Sequence, residues 1–229
     1  MAHTHFHPVQ TIRSPFWKRK ISKRMLRRIG TAFSFLLLWA VGVWLLKSTP
    51  VVDLAAGGHW VESGLSSRWA DGQVVVMIRH AERCDRSDSP CLASPDGITM
   101  PGSQAARAVG DGLRRTLGLA NANLIASPLT RTQQTAEYIY GSAVPSQSWV
   151  GECDKGFEDA VLAHKKAHEN LVLITHSGCI DHFERKLGVR AGQRDSAYAQ
   201  AFFVAVDGKH APRILGTLGP EQWAELAGD

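Results

Sequence analysis

Two apolar segments of the sequence end in histidine. Residues 74–78 are followed by Arg79 and His80, and residues 171–175 are followed by His176. Continuous runs of apolar, largely β-branched residues are typical of strands that are buried on both faces. Ligands of open α/β sheets bind beyond the carboxyl ends of the strands. We therefore expect one guanidinium group and two imidazoles to meet at one sheet edge, although a single strand followed by a charged turn would give the same local pattern.

A third apolar run supplies another cation. Residues 123–126 end in a polar turn that contains Arg131. A phosphoryl group in transfer carries charge on three equatorial oxygens, and a guanidinium group grips such oxygens with two parallel donors. We interpret Arg79, Arg131 and His176 as a phosphate site. His80 is then the nucleophile, whose neutral imidazole forms a phosphohistidine while a backbone carbonyl holds its other ring nitrogen. With the charge neutralised by arginine, we expect no metal ion and no other cofactor.

The elements that must position these residues alternate along the chain. Predicted strands cover residues 73–78, 123–126, the region near 148–150, 171–175, 201–206 and 213–215. Predicted helices cover residues 101–117, 158–168 and 180–187. A further helix is predicted from the end of the polar turn that contains Arg131 to about residue 140. Residues 85–100 are rich in turn formers and indicate a loop, and Asp207-Gly208 indicates a hairpin turn. The alternation predicts an α/β fold with three layers.

Taken together, the polar segments resemble the motifs of the histidine phosphatase superfamily, which includes phosphoglycerate mutases and many phosphatases. The matching pieces are Arg-His-x-Glu at 79–82, Ser-Pro-x-x-Arg-Thr-x-Gln-Thr-Ala at 127–136 and Thr-His at 175–176. The resemblance implies a phosphoglycerate mutase-like α/β/α sandwich and a phosphoric monoester hydrolase. The catalytic residues that it implies are Arg79, His80, Arg131 and His176.

The leaving alcohol needs a proton, which a nearby carboxylic acid can donate. Many members of the superfamily resemble one another in a Glu placed four residues before a Gly, and Glu152 stands in that relation to Gly156. We predict Glu152 as the acid, with Asp154 and Glu158 as alternatives. An ordinary surface carboxylate would explain each of the three equally simply.

A closer resemblance concerns the lipopolysaccharide core heptose(II)-phosphate phosphatases. It includes the residues 79–87, Cys-Leu at 91–92, Gly-Ile-Thr at 97–99 and Thr-His-x-x-Cys at 175–179. The implied substrate is a heptose phosphate of the lipopolysaccharide core or a related sugar phosphate. Arg83 and Arg86 would then bind further anionic groups of this substrate, unless they only form salt bridges within the loop.

The charges of the chain are segregated. Residues 1–47 hold nine Lys and Arg and no Asp or Glu, which leaves residues 48–229 with a net charge of −4 out of the total of +5. A mildly acidic body argues against a nucleic-acid partner. Residues 31–46 carry no charge, and with Gly30 they are just long enough to span a membrane.

This pattern predicts four regions. They are a basic cytoplasmic tail (1–30), a transmembrane anchor (31–47), a linker with a short helix (48–70) and the phosphatase domain (71–229). The positive-inside rule places the domain outside the cytoplasm, hence a single-pass inner-membrane protein with a periplasmic domain. A cleaved signal peptide is the alternative.

All four cysteines follow the apolar segment. An even number of cysteines in an oxidising compartment suggests two disulfides, for which three pairings exist. One of these joins Cys84 to Cys91 and Cys153 to Cys179. A zinc site is the competing interpretation, but no Cys-x-x-Cys pair is present among them.

Two other functions are compatible with parts of this pattern. The chain could be a non-catalytic module that binds phosphoglycans, in which case a nucleophile has no purpose. It could also be a phosphomutase, although an exported domain would meet little phosphoglycerate.

Overall fold

The computed structural model describes residues 22–46 and 49–226. The chain divides into two units, Met1–Lys47 and Ser48–Asp229.

The first unit contains helix α1, Lys23–Leu46. Its segment Lys23–Val43 is long and apolar enough to cross a membrane, with a mean hydropathy of 1.4. The helix begins earlier than the anchor predicted at 31–47, because the basic residues before the apolar run are themselves good helix formers. Residues 1–21 of the predicted tail and Lys47 of the predicted anchor lie outside the described residues.

The second unit alternates strands with helices, as predicted. In chain order its described elements are α2 His59–Ser63, α3 Leu65–Ala70, β1 Val74–Arg79, α4 Met100–Thr116, β2 Ala122–Ala126, α5 Thr130–Tyr140, α6 Phe157–His164, β3 Asn170–Thr175, α7 Ser177–Lys186, β4 Ala201–Ala205, β5 Arg213–Leu218 and α8 Trp223–Leu226. Short 3-10 helices cover Cys84–Arg86, Ser148–Gly151 and Ala191–Gln193.

The five strands form one mixed sheet with the order β2-β3-β1-β4-β5. β2, β3 and β1 are parallel, whereas β4 and β5 each run antiparallel to the preceding strand in that order. Arg79 at the end of β1 pairs with Thr175 at the end of β3, and Ile78 pairs with Ala201 at the start of β4. The carboxyl ends of three strands and the amino end of β4 therefore meet at the same edge.

The central strand β1 is buried on both faces. Val74, Val76 and Ile78 belong to one hydrophobic core, which also contains residues of α4 and α5. Val75 and Met77 belong to a second core with residues of α6 and α7. Each face of the sheet is thus covered by helices, which confirms the three-layer α/β/α sandwich.

Four predicted elements differ in type or extent, one of them the strand expected over 213–215, which continues to Leu218. The strand expected near 148–150 is the 3-10 helix Ser148–Gly151, because Val150 turns inward, is fully buried and accepts a hydrogen bond from Thr175 Oγ1 at 2.6 Å through its carbonyl oxygen. The helix expected over 158–168 ends at His164, and His168 has a φ of 60°. The helix expected over 180–187 begins at Ser177, directly after the extended residue His176.

The segment expected as a linker is packed into the second unit. Asp53 forms an isolated bridge with Thr217 of β5, and Leu54 and Trp69 are buried in the core. The indole nitrogen of Trp69 also donates to the carbonyl of Gly118 at 3.0 Å. Apolar side chains in 49–70 fill a face of the sheet that would otherwise be exposed, so the packed structure begins well before Asp71.

The four cysteines form two disulfides, Cys84–Cys91 and Cys153–Cys179. The first closes the loop after β1, and the second joins the loop after Ser148–Gly151 to the first turn of α7. The predicted number of disulfides is confirmed, and of the three possible pairings this one is present.

Loss of Cys153–Cys179 is expected to destabilise the protein more than loss of Cys84–Cys91. The two bridges span 26 and 7 residues, for which the loop-closure model gives about 3.5 and about 2.4 kcal/mol. The free energy of unfolding is measured by urea unfolding of the full-length chain in detergent. Two variants are compared with wild type, each with both cysteines of one disulfide replaced by Ser. An equal or reversed order would contradict loop closure as the origin of the stabilisation.

Candidate active site

The carboxyl edge of the sheet carries the two predicted histidines side by side. His80 follows β1 and His176 follows β3, and their ring centres are 5.4 Å apart. They open into a pocket of about 290 Å³. Its lining residues are Arg79, His80, Arg83, Arg86, Arg131, His176, Ser177 and Tyr198. Six of the seven residues predicted for the site thus lie around one pocket.

The backbone at the ends of the strands fixes the position of His80. Its N–H donates to the carbonyl of Thr175 at 2.9 Å, which continues the pairing of β1 with β3 by one residue. The next N–H, of Ala81, donates to Thr135 Oγ1 at 2.9 Å, and this hydroxyl donates to the carbonyl of Arg131 at 2.6 Å. Thr135 therefore ties the α5 turn that carries Arg131 to the residue after His80.

The imidazole of His80 is held in one orientation. Its Nδ1 lies 2.8 Å from the carbonyl oxygen of Ala81. Because a carbonyl only accepts, the proton of the neutral ring must be on Nδ1, which leaves the lone pair on Nε2. The backbone partner expected from the sequence is therefore present.

Both imidazoles are neutral at physiological pH. Burial, together with the nearby His176 and the charges of Arg131 and Arg79, lowers the pKa of His80 to about 3, against the opposing effect of its bond to Ala81. Burial and the charges of Arg131, Arg83 and Arg79 lower the pKa of His176 to about 4. A neutral imidazole with a free lone pair is the form that can act as a nucleophile.

Arg79 and Arg131 have donors that the protein does not use. The Nε atoms of both side chains are buried and make no hydrogen bond within the described residues. An unpaired buried donor is unfavourable, and at a guanidinium group an anion relieves this cost most effectively. The two arginines therefore favour the binding of an anion in the pocket, beside the His80 ring.

His176 is positioned by contacts on either side. Its Nε2 lies 3.0 Å from Ser127 Oγ, at the end of β2. Gly151 passes so close that a Cβ on it would lie 2.7 Å from Ser127 Oγ and 3.6 Å from His176 Nε2. A side chain at 151 would therefore force the Ser127 hydroxyl to move, which disturbs the partner of His176.

Arg83 and Arg86 occupy the rim of the pocket. Arg83 Nε donates to Asp85 Oδ1 at 2.7 Å, and a second bond joins Arg83 Nη2 to Asp85 Oδ2. The salt bridge that was the alternative explanation thus exists for Arg83, which also lines the pocket. The predicted role of both residues in binding substrate stays a prediction.

Glu152, predicted as the proton donor, is exposed and is not among the residues that line the pocket. It directly follows Gly151, where an added Cβ would lie 2.7 Å from Ser127 Oγ. Of the alternatives, Asp154 Oδ1 accepts from the N–H of Gly156 at 2.7 Å, and Glu158 lies in the first turn of α6. The role of Glu152 stays a prediction.

Tyr198 and Ser177 were not predicted. Ser177 follows His176 directly and could have been inferred from its place at the start of the helix. Tyr198 comes from a polar segment before β4, and it reaches the site only because β4 runs antiparallel to β1. Nothing in the sequence marks that pairing direction.

Within residues 22–46 and 49–226, no group of three or more His, Cys, Asp or Glu side chains is placed to hold a metal ion. The expected independence of metals stays a prediction.

Comparison with known proteins confirms the resemblance to lipopolysaccharide core heptose(II)-phosphate phosphatases. The chain is 37% identical over 121 residues to the proteins of that name from Salmonella typhi and Salmonella typhimurium. The match covers 51% of this chain, and the chain spans 59% of the length of these curated relatives. No protein-family model matches the chain.

Among solved structures, a phosphoserine phosphatase from Entamoeba histolytica in complex with 3-phosphoglyceric acid superposes with a TM-score of 0.48 at 15% identity. The superposition covers 66% of this chain and 98% of that chain.

The proton equilibria of the two histidines can be measured directly. We expect the ring signals of His80 and His176 to stay at their neutral positions from about pH 7 to about pH 5 in an NMR titration, whereas an unperturbed imidazole changes near pH 6.5. His80→Asn and His176→Asn assign the two signals by their disappearance. A midpoint near 6.5 for either signal would contradict the effect of burial.

The same shifts set the sign of the effect on stability. Since both folded-state pKa values lie below the unfolded value, the unfolded chain binds more protons as the pH falls below about 6.5, and the free energy of unfolding decreases there.

Proposed function

We propose that this chain is a phosphomonoesterase in which His80 is the nucleophile and a phosphohistidine is the intermediate. The observation that carries the proposal is the state of His80: a neutral ring, its Nδ1 bonded to the carbonyl of Ala81, with Nε2 free beside Arg79 and Arg131 in one pocket. This arrangement leaves one lone pair available next to two groups that attract a phosphate dianion.

In the first step His80 Nε2 attacks phosphorus and the bond to the leaving oxygen breaks. Arg79, Arg131 and His176 donate to the phosphoryl oxygens, whose charge they stabilise in the transition state. The leaving alkoxide takes a proton from an acid, for which we propose Glu152. In the second step water attacks the phosphohistidine, Glu152 accepts the proton of this water, and phosphate and free His80 result.

The arginines supply the charge neutralisation that a metal ion supplies in other phosphatases. We accordingly propose a metal-independent reaction with no cofactor.

For the substrate, we propose a heptose phosphate of the lipopolysaccharide core or a related sugar phosphate. The support is the name of the curated relatives together with the rim residues Arg83 and Arg86. A glycolipid core with several anionic groups would place one phosphate on His80 and another near these guanidinium groups.

We propose that α1 is an uncleaved, single-pass anchor in the inner membrane and that the second unit is periplasmic. The support is the apolar segment Lys23–Val43, the basic residues that precede it and two disulfides in the second unit, which persist in oxidising compartments.

A module that only binds phosphoglycans would use the same arginines. Such a module would not need the orientation of His80. The hydrogen bond at Nδ1 leaves the lone pair of Nε2 facing the anion. A lone pair repels a phosphate oxygen unless it attacks phosphorus, so the orientation of His80 favours the enzyme.

Turnover of p-nitrophenyl phosphate tests the enzyme against the binding module. We expect the full-length chain in detergent to hydrolyse it with EDTA present, and His80→Ala to lower kcat by roughly 10³-fold or more, because no other group can form the intermediate. His210→Ala, at an exposed hairpin residue, is the matched control and should retain activity. Equal phosphate release by wild type and His80→Ala would overturn the proposal, and loss of turnover in EDTA would overturn the metal-independent reaction.

The proposed substrate has its own test in cells. Mass spectrometry of the lipid A–core should show one additional phosphate in cells that lack the protein, and complementation with wild type, not with His80→Ala, should remove it. Identical core phosphorylation in all these strains would exclude this substrate while leaving the hydrolysis of other phosphomonoesters intact.

A further inference from the structure

The side chain of Arg79 is held by a segment that lies more than a hundred residues away in the sequence. Arg79 Nη1 donates to the carbonyl of Ser196 at 2.5 Å, and the backbone N–H of Arg79 donates to the carbonyl of Gln200 at 3.1 Å. The guanidinium carbon lies 3.9 Å from the centre of the Tyr198 ring. One short segment before β4 thus supplies the hydrogen bond and the stacking contact of this arginine.

This segment, residues 194–200, is fixed at both of its ends. Arg194 forms an ion pair with Asp181 of α7 at 3.0 Å. At the other end, Gln200 Oε1 accepts from the N–H of Ala197 at 3.0 Å, and the N–H of Ala199 donates to the carbonyl of His80 at 3.4 Å. The position of Tyr198 is therefore determined by its surroundings.

The backbone of this segment is strained next to Tyr198. Ala199 has a φ of 55° and is fully buried, a left-handed conformation that residues with a Cβ rarely adopt. Such conformations persist where the surrounding structure enforces them, often at functional sites. In this case the strained residue turns the chain from the pocket wall into β4.

We propose that Tyr198 is a positioning residue whose ring fixes the plane of the Arg79 guanidinium group against the phosphate. This inference rests on the proposed function and adds a residue to its machinery.

The Tyr198 ring restricts the orientation of the Arg79 guanidinium group more than the hydrogen bond to Ser196 does. The hydrogen bond from Nη1 to Ser196 does not by itself fix the guanidinium plane, and the Tyr198 side chain is a further hydrogen-bonding partner of Arg79. Stacking against an aromatic face restricts this plane, because both groups are planar and the ring attracts the cation. The remaining donors of Arg79, among them the unpaired Nε, are then presented beside His80, whose ring centre lies 5.7 Å from that of Tyr198.

Three variants of the full-length chain in detergent separate the ring from the hydroxyl. Tyr198→Phe keeps the aromatic face, Tyr198→Trp strengthens it, and Tyr198→Leu keeps apolar bulk without it. Two quantities are measured for each: the affinity for tungstate by calorimetry, which needs no turnover, and kcat/KM for p-nitrophenyl phosphate and for glycerol phosphate. Thermal unfolding verifies that each variant is folded.

We expect Tyr198→Phe and Tyr198→Trp to stay within about twofold of wild type, and Tyr198→Leu to lose roughly tenfold in both tungstate affinity and kcat/KM. A Leu variant that equals wild type overturns the proposal. The proposal is also overturned if Tyr198→Phe loses as much affinity and kcat/KM as Tyr198→Leu, or if Tyr198→Phe loses kcat/KM for glycerol phosphate alone. Either result would assign the function to the hydroxyl group of Tyr198.

A double-mutant cycle tests whether the effect passes through Arg79. With Arg79→Lys in the background the planar partner is gone, so Tyr198→Leu should cost less than twofold further. An undiminished loss in that background overturns the positioning role. If wild type binds tungstate but hydrolyses no phosphomonoester, the proposed function has failed, while the affinities still decide the role of Tyr198.

Discussion

The site depends on assembling four guanidinium groups and two imidazoles around one pocket. Of the described residues that line it, none is a carboxylate. Positive groups at close range repel one another, and partial burial weakens the screening by water. The protein limits this repulsion by keeping both imidazoles neutral and by giving Arg79 a carbonyl acceptor and an aromatic face. What remains is a positive pocket that gains most from a bound dianion.

Much of this arrangement could be predicted from the sequence, for one physical reason. A strand buried on both faces must be continuously apolar, so β1 and β3 are visible as runs, and the first polar residue after each run marks the edge of the sheet. Arg79, His80 and His176 were found in this way. Arg131 is equally visible, as the cation in the polar turn that follows the apolar run 123–126.

The rest depends on contacts between distant residues. The direction of β4 decides that Tyr198 reaches His80, and no local pattern around residues 194–200 indicates that direction. The sequence predicts a strand near 148–150, because Trp149 and Val150 favour extended structure, where the structure has the 3-10 helix Ser148–Gly151. Their conformation is set instead by the carbonyl of Val150, which accepts from Thr175, and by the closeness of Gly151 to Ser127.

The sheet topology explains why Tyr198, which was not predicted from the sequence, lies at the pocket. Three parallel strands direct their carboxyl ends to the pocket, so the chain leaves the site after each of them. An antiparallel strand beside β1 is the arrangement in which the chain must return to the same edge before it enters the sheet. Residues 194–200 therefore return to the edge of the sheet that carries the site, and Ala199, with its φ of 55°, lies where this segment enters β4. A segment that must cross the pocket can carry a side chain into it, and Tyr198 is the side chain placed there.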